Sequence, residues 1–161
     1  MKLNNIARRI IFVATVFLSA SAVGENILYN DGSVSSFKMI CSDKNAHAYR
    51  HIYAPLQQKF IDQNNWNNSE KFNSTWTFVF DADKKLMLLD DKEVDFASMQ
   101  AKTVLLTEVT VGQGLGQSIW TYVLRPDQSS GAGTQVNGYD SPLMAGVKAR
   151  VVEFDCRTTS K

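Results

Sequence analysis

The feature that most constrains this chain is a pair of β-branched and aromatic runs near its middle. Residues 103–111 read Thr-Val-Leu-Leu-Thr-Glu-Val-Thr-Val, residues 118–124 read Ser-Ile-Trp-Thr-Tyr-Val-Leu, and Gly112-Gln-Gly-Leu-Gly-Gln117 joins them. Such runs suit a pleated, half-buried surface, and the glycines offer the positive φ values that hairpin loops often need, so a long hairpin is predicted. A lone hairpin is at best marginally stable in water. The rest of the chain must therefore supply strands that cover its apolar face.

Hairpin signals recur on both sides. Trp76, Phe78 and Phe80 alternate with Thr75, Thr77 and Val79, and Asp81-Ala-Asp-Lys84 turns the chain back into Leu86-Met-Leu-Leu89. Asp90-Asp-Lys-Glu93 turns again into a short segment at 94–96. Upstream, Asn30-Asp-Gly32 is a turn and 33–41 reads as a first strand. Downstream, 129–133 reads as a flexible loop, 134–139 as a short strand and 147–156 as a closing strand. Residues 44–65 are the one helical candidate: Asp43 is a suitable N-cap, and Tyr49, Ile52, Tyr53, Leu56, Phe60 and Ile61 recur at spacings of three and four. Pro55 would kink that helix or split it in two. The predicted fold is mainly β with a short helical segment. It is an antiparallel meander forming an open or closed barrel, the helix covering an edge or an end.

The first 22 residues read as a secretory signal peptide. Lys2, Arg8 and Arg9 precede an apolar run at 10–18, and Ala20 and Ala22 give the small-x-small pattern of a cleavage site. Cleavage after Ala22 is expected, or else after Gly24, and no membrane span is expected to remain. Residues 23–161 then form one exported β-rich domain, periplasmic or secreted. Loss of the three basic leader residues leaves fourteen Lys and Arg against sixteen Asp and Glu. That slightly acidic balance, with no basic run longer than Lys84-Lys85, argues against nucleic acid as a partner. Export also puts Cys41 and Cys156 in an oxidising compartment, where a disulfide between them is predicted.

Little in the chain points to catalysis. No serine sits in a Gly-x-Ser-x-Gly elbow, both cysteines are assigned to the bridge, and the protein is expected not to be an enzyme and to need no cofactor. His47 and His51 would share one face of the predicted helix and could chelate a metal, although Ala48 stands where a metalloprotease motif needs glutamate. Asp81, Asp83, Asp90, Asp91, Glu93 and Asp95 read as turn-forming and solubilising charges. The aromatic set Trp76, Phe78, Phe80, Trp120 and Tyr122 falls on neighbouring strands and would either fill the core or line an apolar ligand cavity.

Size, export and all-β character are similar to those of the calycins, the lipocalin-like small-ligand barrels, which implies a cavity inside the barrel. The Gly-x-Trp of the first lipocalin strand is absent, and Trp76 follows Ser74-Thr75 well inside the chain. Small periplasmic lysozyme inhibitors are also exported, disulfide-bearing β-domains, but Ser130-Gly131 is followed here by Ala132-Gly133-Thr134 without the tyrosine of their inhibitory motif. The chain is assigned to neither family. The expected function is that of a non-enzymatic binding module that engages an unknown protein through the loops at 112–117 and 128–138; the alternative is a calycin-like carrier of a small apolar ligand.

Overall fold

A computed structural model describes residues 26–67, 72–112, 116–141 and 143–160. The predicted leader, 1–22, lies outside them. The described residues form eleven strands: β1 (Ile27–Asn30), β2 (Phe37–Ala54), β3 (Lys59–Asn67), β4 (Thr75–Asp81), β5 (Leu86–Leu89), β6 (Lys92–Glu93), β7 (Phe96–Gln100), β8 (Thr103–Gly112), β9 (Gly116–Arg125), β10 (Ser130–Asp140) and β11 (Ala145–Ser160). They make one sheet in the order β1-β7-β8-β9-β10-β11-β2-β4-β5-β6, with β3 also paired to β2. The fold is mainly β, and the sheet curls into a half-barrel. Among the described residues no helix is long and apolar enough to cross a membrane.

The central hairpin forms as its composition predicts, Val104 to Gly112 facing Leu124 to Gly116 in unbroken register. Gly116 takes φ +109°, and a Cβ there would meet the carbonyl of Gly138 on the next strand, so this end of the hairpin requires glycine. Period-two alternation then sets the core. Phe37, Met39, Phe78, Phe80, Met87, Met99, Val104, Leu106, Tyr122, Leu124, Val152 and Phe154 are all buried on the concave side. Burial of this set is the main stabilising term, at roughly 1.5–3 kcal/mol for each large apolar side chain.

Two expectations are corrected. Residues 44–65 are not helical: β2 runs through to Ala54, Pro55–Gln57 makes a single 3₁₀ turn, and Gln58 in the left-handed region sends the chain back as β3. The spacing of three and four is produced by a bulge and a tip. Glu153 of β11 faces Asn45 while Phe154 faces Asp43, so Lys44 is an extra residue, and the buried positions change from Phe37, Met39 and Cys41 to Ala46, Ala48, Ile52 and Ala54. Tyr49 and Tyr53 lie on the face opposite Ile52, and Leu56, Phe60 and Ile61 are exposed beyond the turn. The strand wins over helix because β11 pairs with β2 from Ser160–Phe37 to Ala145–Tyr53, far more hydrogen bonding and burial than an isolated proline-split helix would gain.

The second correction concerns 129–133: Ser129, in the left-handed region, ends a 3₁₀ turn at Pro126–Gln128, and 130–133 are the start of β10, paired with β9 on one side and β11 on the other. Its glycines fit the sheet for a packing reason. A Cβ on Gly133 would lie 3.1 Å from the Phe154 ring and 3.2 Å from that of Tyr122, so the bare backbone lets those two rings meet across it, 6.2 Å apart and nearly parallel at 22°.

Candidate functional site

The concave face changes character along the strands. Reading β8 upward, the inward residues are Val104, Leu106, Glu108 and Thr110; reading β9 in the same direction they are Leu124, Tyr122, Trp120 and Ser118. The apolar core therefore ends at a layer of large rings and opens into a polar mouth. At this level lies a cavity of about 500 Å3, walled by Phe72, Trp76, Trp120 and Tyr122 and rimmed by Asp90, Lys92, Glu93, Asp95 and Glu108. A smaller space of about 310 Å3 at the other end of the half-barrel is lined by Ser33–Phe37 and by Lys102, Pro126, Asp127 and Thr158, with Phe37 as its single ring.

The rings form a connected cluster. Phe72 stands edge-on to Trp76 at 5.8 Å and lies 5.3 Å from Trp120, and Trp120 stacks on Tyr122 at 5.4 Å with an interplanar angle of 6°. Trp76 in turn packs 4.9 Å from Phe154 in the core. Such offset and tilted pairs hold ring orientation as well as burying area. The guanidinium of Arg150 sits 4.4 Å above the Phe72 ring, so one face of the cluster already takes a cation.

The rim is held by backbone hydrogen bonds. Thr77 N–H donates to Asp90 Oδ1 at 2.8 Å, fixing the β5–β6 turn against β4, and Val109 N–H donates to Asp95 Oδ2 at 2.6 Å, fixing the start of β7 against β8. Glu108 lies directly across the ladder from Trp120. Burial first, and then the charges of Asp95 and Asp90, push its carboxyl above the usual range. Burial, with Glu108 and Asp90 behind it, also pushes the Tyr122 hydroxyl up, so it stays neutral.

The sequence candidates divide accordingly. Trp76, Trp120 and Tyr122 come together at the cavity, whereas Phe78 and Phe80 lie below it with no exposed surface and belong to the core. Of the acidic residues near the β4–β5 hairpin, Asp90, Glu93 and Asp95 converge on the rim; Asp81, Asp83 and Asp91 do not line it. Glu108 and Phe72 were not singled out by motif, although the inward parity of Val104 and Leu106 was a signal for Glu108.

Cys41 and Cys156 are directly opposite each other on β2 and β11 and form a disulfide, their Cα atoms 4.0 Å apart. His47 and His51 do not share a helical face. On a strand, four residues separate them by roughly 13 Å, too far for one metal ion, and the ring of His51 packs 4.8 Å from Phe60 instead. No group of three or more His, Cys, Asp or Glu that could hold a metal occurs among the described residues. The segment expected as a binding loop at 128–138 is mostly the paired strand β10, and the tip of the other, 113–115, lies outside the described residues. No known family model, curated protein or solved structure matches the chain.

Proposed function

We propose that this protein is an exported, non-enzymatic module that binds a small molecule in the aromatic-walled cleft, and that it works in the periplasm or outside the cell. The observation that carries this reading is the change along β8 and β9 from packed core to an open cavity of about 500 Å3 with Trp76, Trp120 and Tyr122 as its wall. Ligand sites combine a concave shape and apolar walls with polar groups that fix orientation; this cleft is concave, with an aromatic wall on one side and a rim of charged side chains that makes its lining more polar than apolar. Export is supported by the leader pattern and by the cross-strand disulfide, which persists in oxidising compartments. The protein-capture reading draws support from no described loop.

Two tryptophans at the cleft make the test direct. Emission from Trp120, the more exposed of the two, should shift or quench as a bound molecule replaces water against its ring. A panel spanning fatty acids, sterols, haem, aromatic acids and organic amines is titrated into the oxidised domain, with Trp120→Leu as the control that removes the wall. Saturable quenching that Trp120→Leu abolishes supports the reading; flat emission across the whole panel would sink it.

A further inference from the structure

We propose that the molecule taken by this cleft is an organic cation, an alkylammonium or polyamine whose charged nitrogen sits against Trp120 and Glu108. This rests on the cleft being a ligand site, and adds the chemical class of what it holds.

Four carboxylates, Asp90, Glu93, Asp95 and Glu108, line the cavity with one lysine, Lys92, and the Arg150 guanidinium lies on the Phe72 wall, so the negative charges still outnumber the positive ones. An anionic ligand would enter against that field, and a neutral apolar one would leave Glu108 at its side without relief. The walls narrow the choice among cations. A divalent metal needs several oxygen ligands converging within about 2–2.6 Å, and no such group occurs among the described residues. Aromatic faces attract a cation without coordinating it, most strongly tryptophan, and they suit a large, weakly hydrated ammonium group. The cleft supplies both parts: Trp76 and Trp120 lie 6.5 Å apart at 60°, and Glu108 is the residue paired with Trp120 across the ladder. The volume exceeds what a bare ammonium head requires, leaving room for an apolar body against Phe72 and Leu89.

Glu108 gives the proposal a second support. Its carboxyl is held above the usual range because it is partly buried and faces Asp95 and Asp90. A cation placed there would offset both effects, so binding should lower the proton affinity of Glu108 and release protons at mildly acidic pH.

The experiment compares a charged ligand with its neutral shape twin on the intact, oxidised domain. Choline and 3,3-dimethylbutan-1-ol differ only in nitrogen for carbon at the branched centre; spermidine is added as a longer cation. Calorimetry and tryptophan emission read binding. The expected result is that at least one cation saturates the site, that choline is preferred over its twin by roughly ten-fold, and that Glu108→Gln loses most of that preference while its urea midpoint does not fall below the parent's. Equal or tighter binding of the neutral twin overturns the cation class and leaves the carrier reading intact. Binding by apolar members of the wider panel with none by choline or spermidine does the same. Saturation by calcium with no response to either ammonium compound also overturns it. If no compound of any class binds, both readings fall together.

Discussion

The side-chain amide of Asn26 pairs with the backbone of Met87 as a peptide group would: Nδ2 donates to Met87 O at 2.7 Å and Oδ1 accepts from Met87 N–H at 3.0 Å. The same Nδ2 donates to Val94 O at 3.0 Å, and the Asn26 carbonyl accepts from Ala97 N–H at 3.0 Å. One residue thus links β5, the approach to β7, and β7 itself, across the gap that the curled sheet leaves open. Strand edges expose unpaired donors and acceptors, and here a side chain answers them at the seam.

Asn26→Ala should therefore cost about 2–3 kcal/mol, since it leaves several partly buried backbone groups without partners. Chemical denaturation followed by tryptophan emission reads the loss. Asn26→Asp should recover little, because a carboxylate can accept from Met87 N–H but cannot donate to Met87 O or Val94 O. A midpoint unchanged in Asn26→Ala would mean that the seam adds nothing to stability.

Gly133 makes a sharper packing prediction. Its missing Cβ is the space in which Tyr122 and Phe154 approach, so Gly133→Ala forces both rings to shift, at about 1–3 kcal/mol. Gly138→Ala is the control on the same strand: nothing lies within 4 Å of a Cβ there, and its effect should stay within about 0.5 kcal/mol. Thermal melts of the two variants side by side distinguish a ring-packing role from a general intolerance of β10 to alanine.

The contrast between 75–125 and 43–65 shows what a sequence of this kind discloses. Trp76, Phe78 and Phe80, or Val104 and Leu106 with Tyr122 and Leu124, are large residues in strict alternation, and the sheet seats them as they read. In β2 the inward positions past the bulge are filled largely by Ala46, Ala48 and Ala54, which carry no hydropathic weight against Tyr49 and Tyr53 on the other face. Lys44 also breaks the period, and no local residue announces a bulge. The pairing that makes this segment a strand comes from β11, a hundred residues later. The cleft was half legible for the same reason. Trp76 and Trp120 stand out by type, but their meeting with Glu108 and Asp95 depends on which strands become neighbours.

The disulfide leads to a prediction about where stability resides. Cys41 and Cys156 are 115 residues apart in sequence and directly paired across β2 and β11. Closing so long a loop restricts the unfolded chain, for which the chain-entropy estimate is about 4–5 kcal/mol. Reduction, or the double change Cys41→Ser with Cys156→Ser, should lower the thermal midpoint by on the order of ten degrees or more. The Trp120 and Glu108 side of the cleft should survive in the molecules that remain folded, because the β8–β9 ladder carries it, whereas the Trp76 wall is the direct partner of Cys41 across β2 and β4. Near-ultraviolet dichroism of the stacked Trp120–Tyr122 pair reports this, and its loss below the melting transition would show that the bridge sets the cleft as well.

Glu108 sets the cleft against the fold. Its folded-state carboxyl lies above the unfolded value near 4.5, so the folded protein holds this proton more tightly than the unfolded chain does. Stability then falls as pH rises from about 4.5 through the folded value, and what is lost stays lost at neutral pH. Glu108→Gln removes the ionisation and should flatten that part of the curve, leaving the variant more stable than the parent at pH 7 and closer to it at pH 4. The carboxylates of Asp31, Asp127 and Glu153 are held below their usual range by hydrogen bonds and contribute in the opposite sense, but they are common to both proteins and cancel in the difference. Urea midpoints of parent and variant from pH 4 to pH 8 give that difference directly. A gap that widens with pH means the parent keeps a destabilising charge at the mouth of its cleft, as a site built to meet a cation requires; a gap that stays constant would place Glu108 in ordinary solvent.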